Sequence, residues 1–184
     1  MSSEPRLRAD ARENREKLVR AARAAFAAGE TVSLDAIARA AGVGIGTLYR
    51  HFPNREALVE AVYRDQVDEL RVGAGALLAS HPPVAALRAW MDLFADWADA
   101  KRGMVSALAT LRSRGTLDMD ASRREISSIL GTLVSAGIAS GELRPDVDPA
   151  DLRSLLAGIL AAATDRDQVA RLFDLAIDSL RPRG

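Results

Sequence analysis

The chain has 184 residues, 48% hydrophobic and 27% charged, with 25 Lys or Arg against 25 Asp or Glu and no cysteine. That length can bury a core as one domain or as a small domain joined to a larger one, and the missing cysteine excludes disulfides, thiolate chemistry and Cys-ligated metals. No segment carries the roughly eighteen uncharged apolar residues of a membrane span, and the first residues have no apolar core for export, so a cytoplasmic protein without a membrane partner is expected.

The zero net charge conceals an asymmetry. Residues 1–64 carry eleven Lys or Arg against eight Asp or Glu, and residues 65–184 fourteen against seventeen, so the basic excess sits at the front. Arg6 and Arg8 fall in a segment, 1–11, expected as a flexible arm, and Arg12 begins the first helix just after it; the three either reach DNA or belong to a solvated tail.

Periodicity predicts helix almost everywhere and no strand. Asp10 and Glu13 stand in capping-box spacing, Leu18, Ala21, Ala22, Ala25 and Phe26 share a face, and Gly29 marks the stop of a first helix. Ser33 is placed to cap a short second helix that buries Leu34, Ile37, Ala38 and Ala41 and ends at Gly42. Two helices split by a glycine turn, with a third following at once, have a helix-turn-helix outline.

The third helix, residues 45–51, reads as two-sided. Leu48 faces inward beside Val43 and Phe52, while Ile45, Gly46, Tyr49 and Arg50 project outward. Thr47 and His51 flank that outward face and Arg55 follows, all suited to phosphate oxygens. Gly46 costs a helix about 1 kcal/mol, and close approach to a DNA edge is a physical reason to keep it.

Residues 31–63, "TVSLDAIARAAGVGIGTLYRHFPNREALVEAVY", resemble the N-terminal DNA-binding domain of the TetR family of bacterial transcriptional regulators. The resemblance covers about residues 12–63 through the pattern A-x-x-A-G-V-x-x-G-T-L-Y-x-H-F-x-N-R-E-x-L. It implies an all-α chain of about nine helices. A three-helix DNA-binding domain (12–63) would precede a larger helical bundle (64–184) for effector binding and dimerisation. Thr47, Tyr49, His51 and Arg55 match the family's phosphate and groove contacts. Gly44, Ile45 and Arg50 lie where members vary and would read bases, and Ser33 and Gly46 complete the expected DNA-contacting set. Since Gly44 and Ile45 offer no bidentate hydrogen-bonding group, readout would rely on Tyr49, Arg50, thymine methyls and DNA shape.

Beyond this, Asn54 caps a fourth helix of about twenty-five residues, weakened by Gly73 and Gly75 and stopped at Pro82-Pro83, with His81 a helix-end residue. Helices five to seven are punctuated by glycine. Trp90, Phe94 and Trp97 on the fifth, with Met104, Leu108, Leu111, Ile126 and Leu130, form core by default, and the resemblance implies that some of them line an effector pocket. Met119 falls in the same region. Helices eight and nine, about 149–163 and 165–180, carry more apolar surface than one hairpin hides. With the resemblance, this implies a homodimer through Leu156, Ile159, Leu160, Leu172, Phe173 and Ile177, and so a palindromic operator.

No catalytic set, metal cluster or cofactor motif stands out, so neither an enzyme nor a cofactor is expected. The expected function is a regulator of transcription, a repressor released from double-stranded DNA by a small apolar or amphipathic effector. The alternatives are a helical interaction protein without specific DNA recognition and, further off, a small helical enzyme.

Overall fold

The computed structural model describes residues 3–27, 33–102, 104–115 and 118–182. Among them are nine helices and no strand: α1 (Ser3–Ala27), α2 (Leu34–Ala40), α3 (Ile45–His51), α4 (Arg55–Ser80), α5 (Pro83–Arg102), α6 (Val105–Ser113), α7 (Met119–Ala139), α8 (Pro149–Ala162) and α9 (Arg166–Ser179). The caps explain most boundaries. Asn54 Oδ1 accepts from Ala57 N at 2.8 Å, Asp148 Oδ1 from Ala150 N at 2.6 Å, and Asp165 Oδ1 from Gln168 N at 2.7 Å.

α1 starts earlier than expected. Its backbone is helical from Ser3, through most of the segment read as an arm, while Gly29, its expected stop, lies outside the described residues. Pro5 is tolerated because the first-turn N–H groups have no intrahelical acceptor to lose. The pairs Arg12–Glu16 and Glu13–Lys17 then add support at i, i+4 spacing.

The chain divides into two units, one of residues 1–66 with 99–117, the other of 67–98 with 118–184. The expected division after residue 63 is close to the first crossing, but α6 joins the first unit. The first unit thereby holds fifteen Lys or Arg against ten Asp or Glu, and the second ten against fifteen. The charge separation is larger than the linear split suggested.

In the first unit, α1, α2 and α3 pack against one another around Leu18, Ala22, Phe26, Ile37, Leu48 and Phe52, all buried. Burying each larger side chain contributes roughly 1.5–3 kcal/mol. Arg114 at the end of α6 reaches Glu56 in the first turn of α4 at 3.3 Å.

In the second unit, α8 packs against both α7 and α9. Gly73 leaves α4 unbroken, and a Cβ there would meet Leu93 Cδ1 at 2.8 Å, so glycine at this point permits the contact with α5. Arg88 of α5 donates to Asp92 at 2.8 Å and to Asp174 of α9, and its guanidinium lies over the Phe173 ring at 5.7 Å. His81 sits exposed just past α4, its ring nitrogen 2.8 Å from Ser80 Oγ. No helix among the described residues is long and apolar enough to cross a membrane.

Candidate nucleic-acid interface

The turn that presents α3 is closed by backbone geometry. Gly42 has φ +66°, the left-handed conformation that L side chains resist, and it directly follows the C-cap Ala41. Val43 N–H bonds back to Ala38 O at 2.9 Å and Gly42 N–H to Arg39 O at 3.1 Å, the paired bonds of a Schellman stop. At the other end of α2, Ser33 Oγ accepts from Ala36 N at 3.2 Å. That bond uses a lone pair of Ser33 and leaves its hydroxyl proton free to donate outward.

α3 is seven residues long, and its two sides differ sharply. Leu48 is fully buried and Phe52, at the C-cap, nearly so. Opposite them Tyr49 is 51% exposed and Ile45 38%, with Gly44, Gly46 and Arg50 also exposed. Thr47 and His51 are half-buried at the margins, and the His51 ring leans on Phe52 at 6.2 Å. Residues 45, 46, 49 and 50 thus lie together on an outward strip.

Gly46 on this strip and Gly44, the N-cap before it, are not crowded by the rest of the protein. A Cβ at Gly44 or Gly46 would meet nothing within 4 Å, and neither has positive φ. Packing within the described residues therefore does not require a bare backbone at Gly46.

Arg55 is more embedded than a phosphate contact needs. It is half-buried, with its guanidinium over the Phe26 ring at 5.3 Å, so it also packs α4 against α1. Arg15, which the sequence did not single out, does the same over Phe52 at 5.4 Å.

The residues expected to line an effector pocket take up positions in both units. In the second, Trp90, Phe94 and Trp97 form a stacked ladder, with centroids 5.5 Å apart at 13° and 5.3 Å apart at 20°. Trp90 is fully buried and donates its indole N–H to Leu70 O at 2.8 Å. That is the environment of a core residue, the default reading of this face. Ile126 and Leu130 are buried in the same unit, while Met104, Leu108 and Leu111 are buried in the first. The Met119 side chain lies outside what the structure describes. A cleft of about 410 Å³ in the second unit is lined by none of these residues; Val84, Ala85, Arg88, Glu142, Asp174 and Ile177 are among its walls.

The expected dimer residues also divide. Leu156 and Phe173 are completely buried within the chain, while Ile177 is 5% exposed and borders the cleft. Ile159, Leu160 and Leu172 are half-buried. The exposed apolar surface of α8 and α9 is instead Leu155 and Leu175, with Gly158, Ala161 and Ala162 beside them on α8. Among the described residues no group of three or more acidic or histidine side chains is placed to hold a metal ion.

Comparison with known proteins agrees with this arrangement. Residues 18–62 match the family described as bacterial regulatory proteins, tetR family, and residues 82–182 match the C-terminal domain of SbtR-like transcriptional regulators. A TetR transcriptional regulator from Streptomyces coelicolor is 45% identical, with 92% of this chain and 99% of that one covered and a TM-score of 0.82. A TetR regulatory protein from Mycobacterium vanbaalenii is 38% identical over 96% and 99%, with a TM-score of 0.76. A γ-butyrolactone receptor, 21% identical over 94% and 90% with a TM-score of 0.63, shares the fold. An HTH-type transcriptional regulator of Staphylococcus aureus is 38% identical over 64 residues, 34% of this chain and only 35% of that protein.

Proposed function

The chain belongs to the TetR family of bacterial transcriptional regulators, and we propose that it is a cytoplasmic homodimeric repressor which a small apolar or amphipathic ligand releases from a palindromic operator. The family's members are DNA-binding transcription factors, not enzymes. One observation carries the reading: an outward strip of α3 in which Tyr49 and Ile45 are exposed while the opposite side is sealed by Leu48 and Phe52. A large exposed aromatic beside Arg50 and an uncovered glycine backbone is costly to leave in water and fits a groove. The basic excess of the first unit supplies the attraction to phosphate.

Thr47, His51 and Ser33 are assigned phosphate contacts, and Tyr49, Arg50, Ile45 and Gly44 the base edges. Arg55 is assigned a phosphate while its stem and guanidinium face rest on Phe26. Dimerisation is assigned to the exposed strip of α8 and α9, where the small residues permit close approach of a second copy. That a protein of similar fold is described as a γ-butyrolactone receptor supports a ligand-responsive reading. The ligand lowers operator affinity by no more than its own preference for the non-binding conformation.

A gel-shift titration against the DNA upstream of the protein's own reading frame, repeated over a range of salt, tests the reading. The dimer should give a sequence-specific complex that weakens steeply with salt, and Tyr49→Ala should abolish it while the circular dichroism of the protein stays unchanged. A folded Tyr49→Ala protein with undiminished operator affinity would place the reading surface elsewhere.

A further inference from the structure

α4 carries its buried residues at helical spacing, among them Val59, Val62, Tyr63, Gln66, Val67 and Leu70. Gln66 is the exception in chemistry. It is 3% exposed, and its Oε1 finds no hydrogen-bond partner on the protein. Leu or Met would fill such a position without stranding an acceptor away from water, so packing alone gives no reason for an amide. Buried polar atoms without protein partners are rare in folded chains and call for a specific explanation.

Building on the ligand-responsive reading above, we propose that Gln66 is the polar anchor of the effector site, its Oε1 accepting a hydrogen bond from a hydroxyl or N–H of a small uncharged molecule that is otherwise apolar. A buried acceptor with nothing to satisfy it discriminates strongly for a donor and against the same molecule with its donor blocked. The effector's neutrality follows from the surroundings. Among the described residues no Asp, Glu, Lys, Arg or His is buried, so a charged ligand drawn to Gln66 would lose its hydration without gaining a counter-ion. Val62 and Tyr63, four and three residues earlier on the same strip and both buried, offer hydrocarbon to the remainder of the ligand.

The test uses the full-length dimer and Gln66→Met, which keeps the length of the side chain and removes its polar atoms. The probes are 1-hexanol, 1-octanol and 1-decanol, each beside its methyl ether, with decanoate as the charged comparison. Binding is read by thermal shift without DNA, and release by gel shift. The wild type should bind the alcohols about tenfold more tightly than the ethers, the value of one hydrogen bond, and should ignore decanoate. Gln66→Met should bind operator normally, melt no lower than the wild type, and treat alcohol and ether alike. Any of three outcomes overturns the proposal. They are an alcohol-to-ether ratio that the variant keeps, no binding of any alcohol by the wild type, and a variant that melts well below it, which marks Gln66 as a structural amide satisfied by resident water. If the wild type binds no operator, the repressor reading fails, yet the probe titrations without DNA still decide the role of Gln66.

Discussion

Substituting Gly46→Ala separates the protein's stability from its use. Gly46 is the second residue of α3, its φ is not positive, and a Cβ there has open space for at least 4 Å. Replacing glycine by alanine in a helix is worth about 0.5–1 kcal/mol, with no strain here to offset it. For a chain of this size that corresponds to a rise in Tm of about 1–4 °C. On the operator the sign reverses. If the bare backbone is held against DNA, a methyl on each of two reading heads forces each off its site, and a loss of about 1–3 kcal/mol per half-site lowers affinity by at least tenfold. Gly75→Ala is the control: it is exposed on α4, equally uncrowded, and should raise Tm without changing operator affinity. Thermal denaturation by circular dichroism and fluorescence-anisotropy titration of labelled operator give both numbers. A stabilised Gly46→Ala protein with wild-type affinity would show that DNA never approaches this residue, and a lowered Tm would refute the packing argument itself.

Phe173→Glu should unfold the second unit, since the ring is fully buried under Arg88, whereas Leu175→Glu on the exposed side of α9 should stay folded and sediment as a monomer with weakened operator binding. A dimeric Leu175→Glu protein would move the interface off this strip. Trp90→Ala should cost roughly 3–5 kcal/mol by leaving a cavity; an unchanged urea midpoint would contradict its placement in the core. Asp165→Ala should lower Tm at neutral pH and flatten the acid limb of stability. The Gln168 N–H and the Thr164 hydroxyl hold the Asp165 carboxyl below its usual value, so its contribution is full above the unfolded pKa and disappears as pH falls through the depressed folded one. An identical acid limb in the variant would mean that the cap contributes nothing.

The reading head was legible because its signals are local. Ser33 as cap, Gly42 as left-handed stop, Leu48 inward and Tyr49 outward each follow from residues within a turn of one another, and each is where expected. The second half resisted for the opposite reason. Periodicity gives the width of an apolar stripe on α9 but cannot tell which part faces the chain's own α8, so Phe173 and Leu175 could not be sorted without tertiary contacts. Pairing of α6 with the first unit rests on contacts between residues far apart in sequence, Arg114 to Glu56 for one. Gln66 was visible in principle, as a polar residue three after Tyr63 and four before Leu70, within a stripe that is otherwise apolar. The start of α1 was misjudged because Asp10 and Glu13 imitate a cap that the helix does not use.

The Trp90–Phe94–Trp97 ladder also determines what light can report about this protein. These are the chain's only two tryptophans, both on α5 in the second unit and both stacked on the same phenylalanine. Intrinsic emission excited at the red edge of indole absorption therefore senses that unit alone, and the DNA-reading head is dark. Tyr49, by contrast, is half in water on α3, where a tryptophan put in its place would be the one emitter on the reading surface and would dim or shift as bases stack against it. The native indoles thus report on the unit that melts around α5, and an introduced one, read as the difference from the unaltered protein, reports the moment of docking.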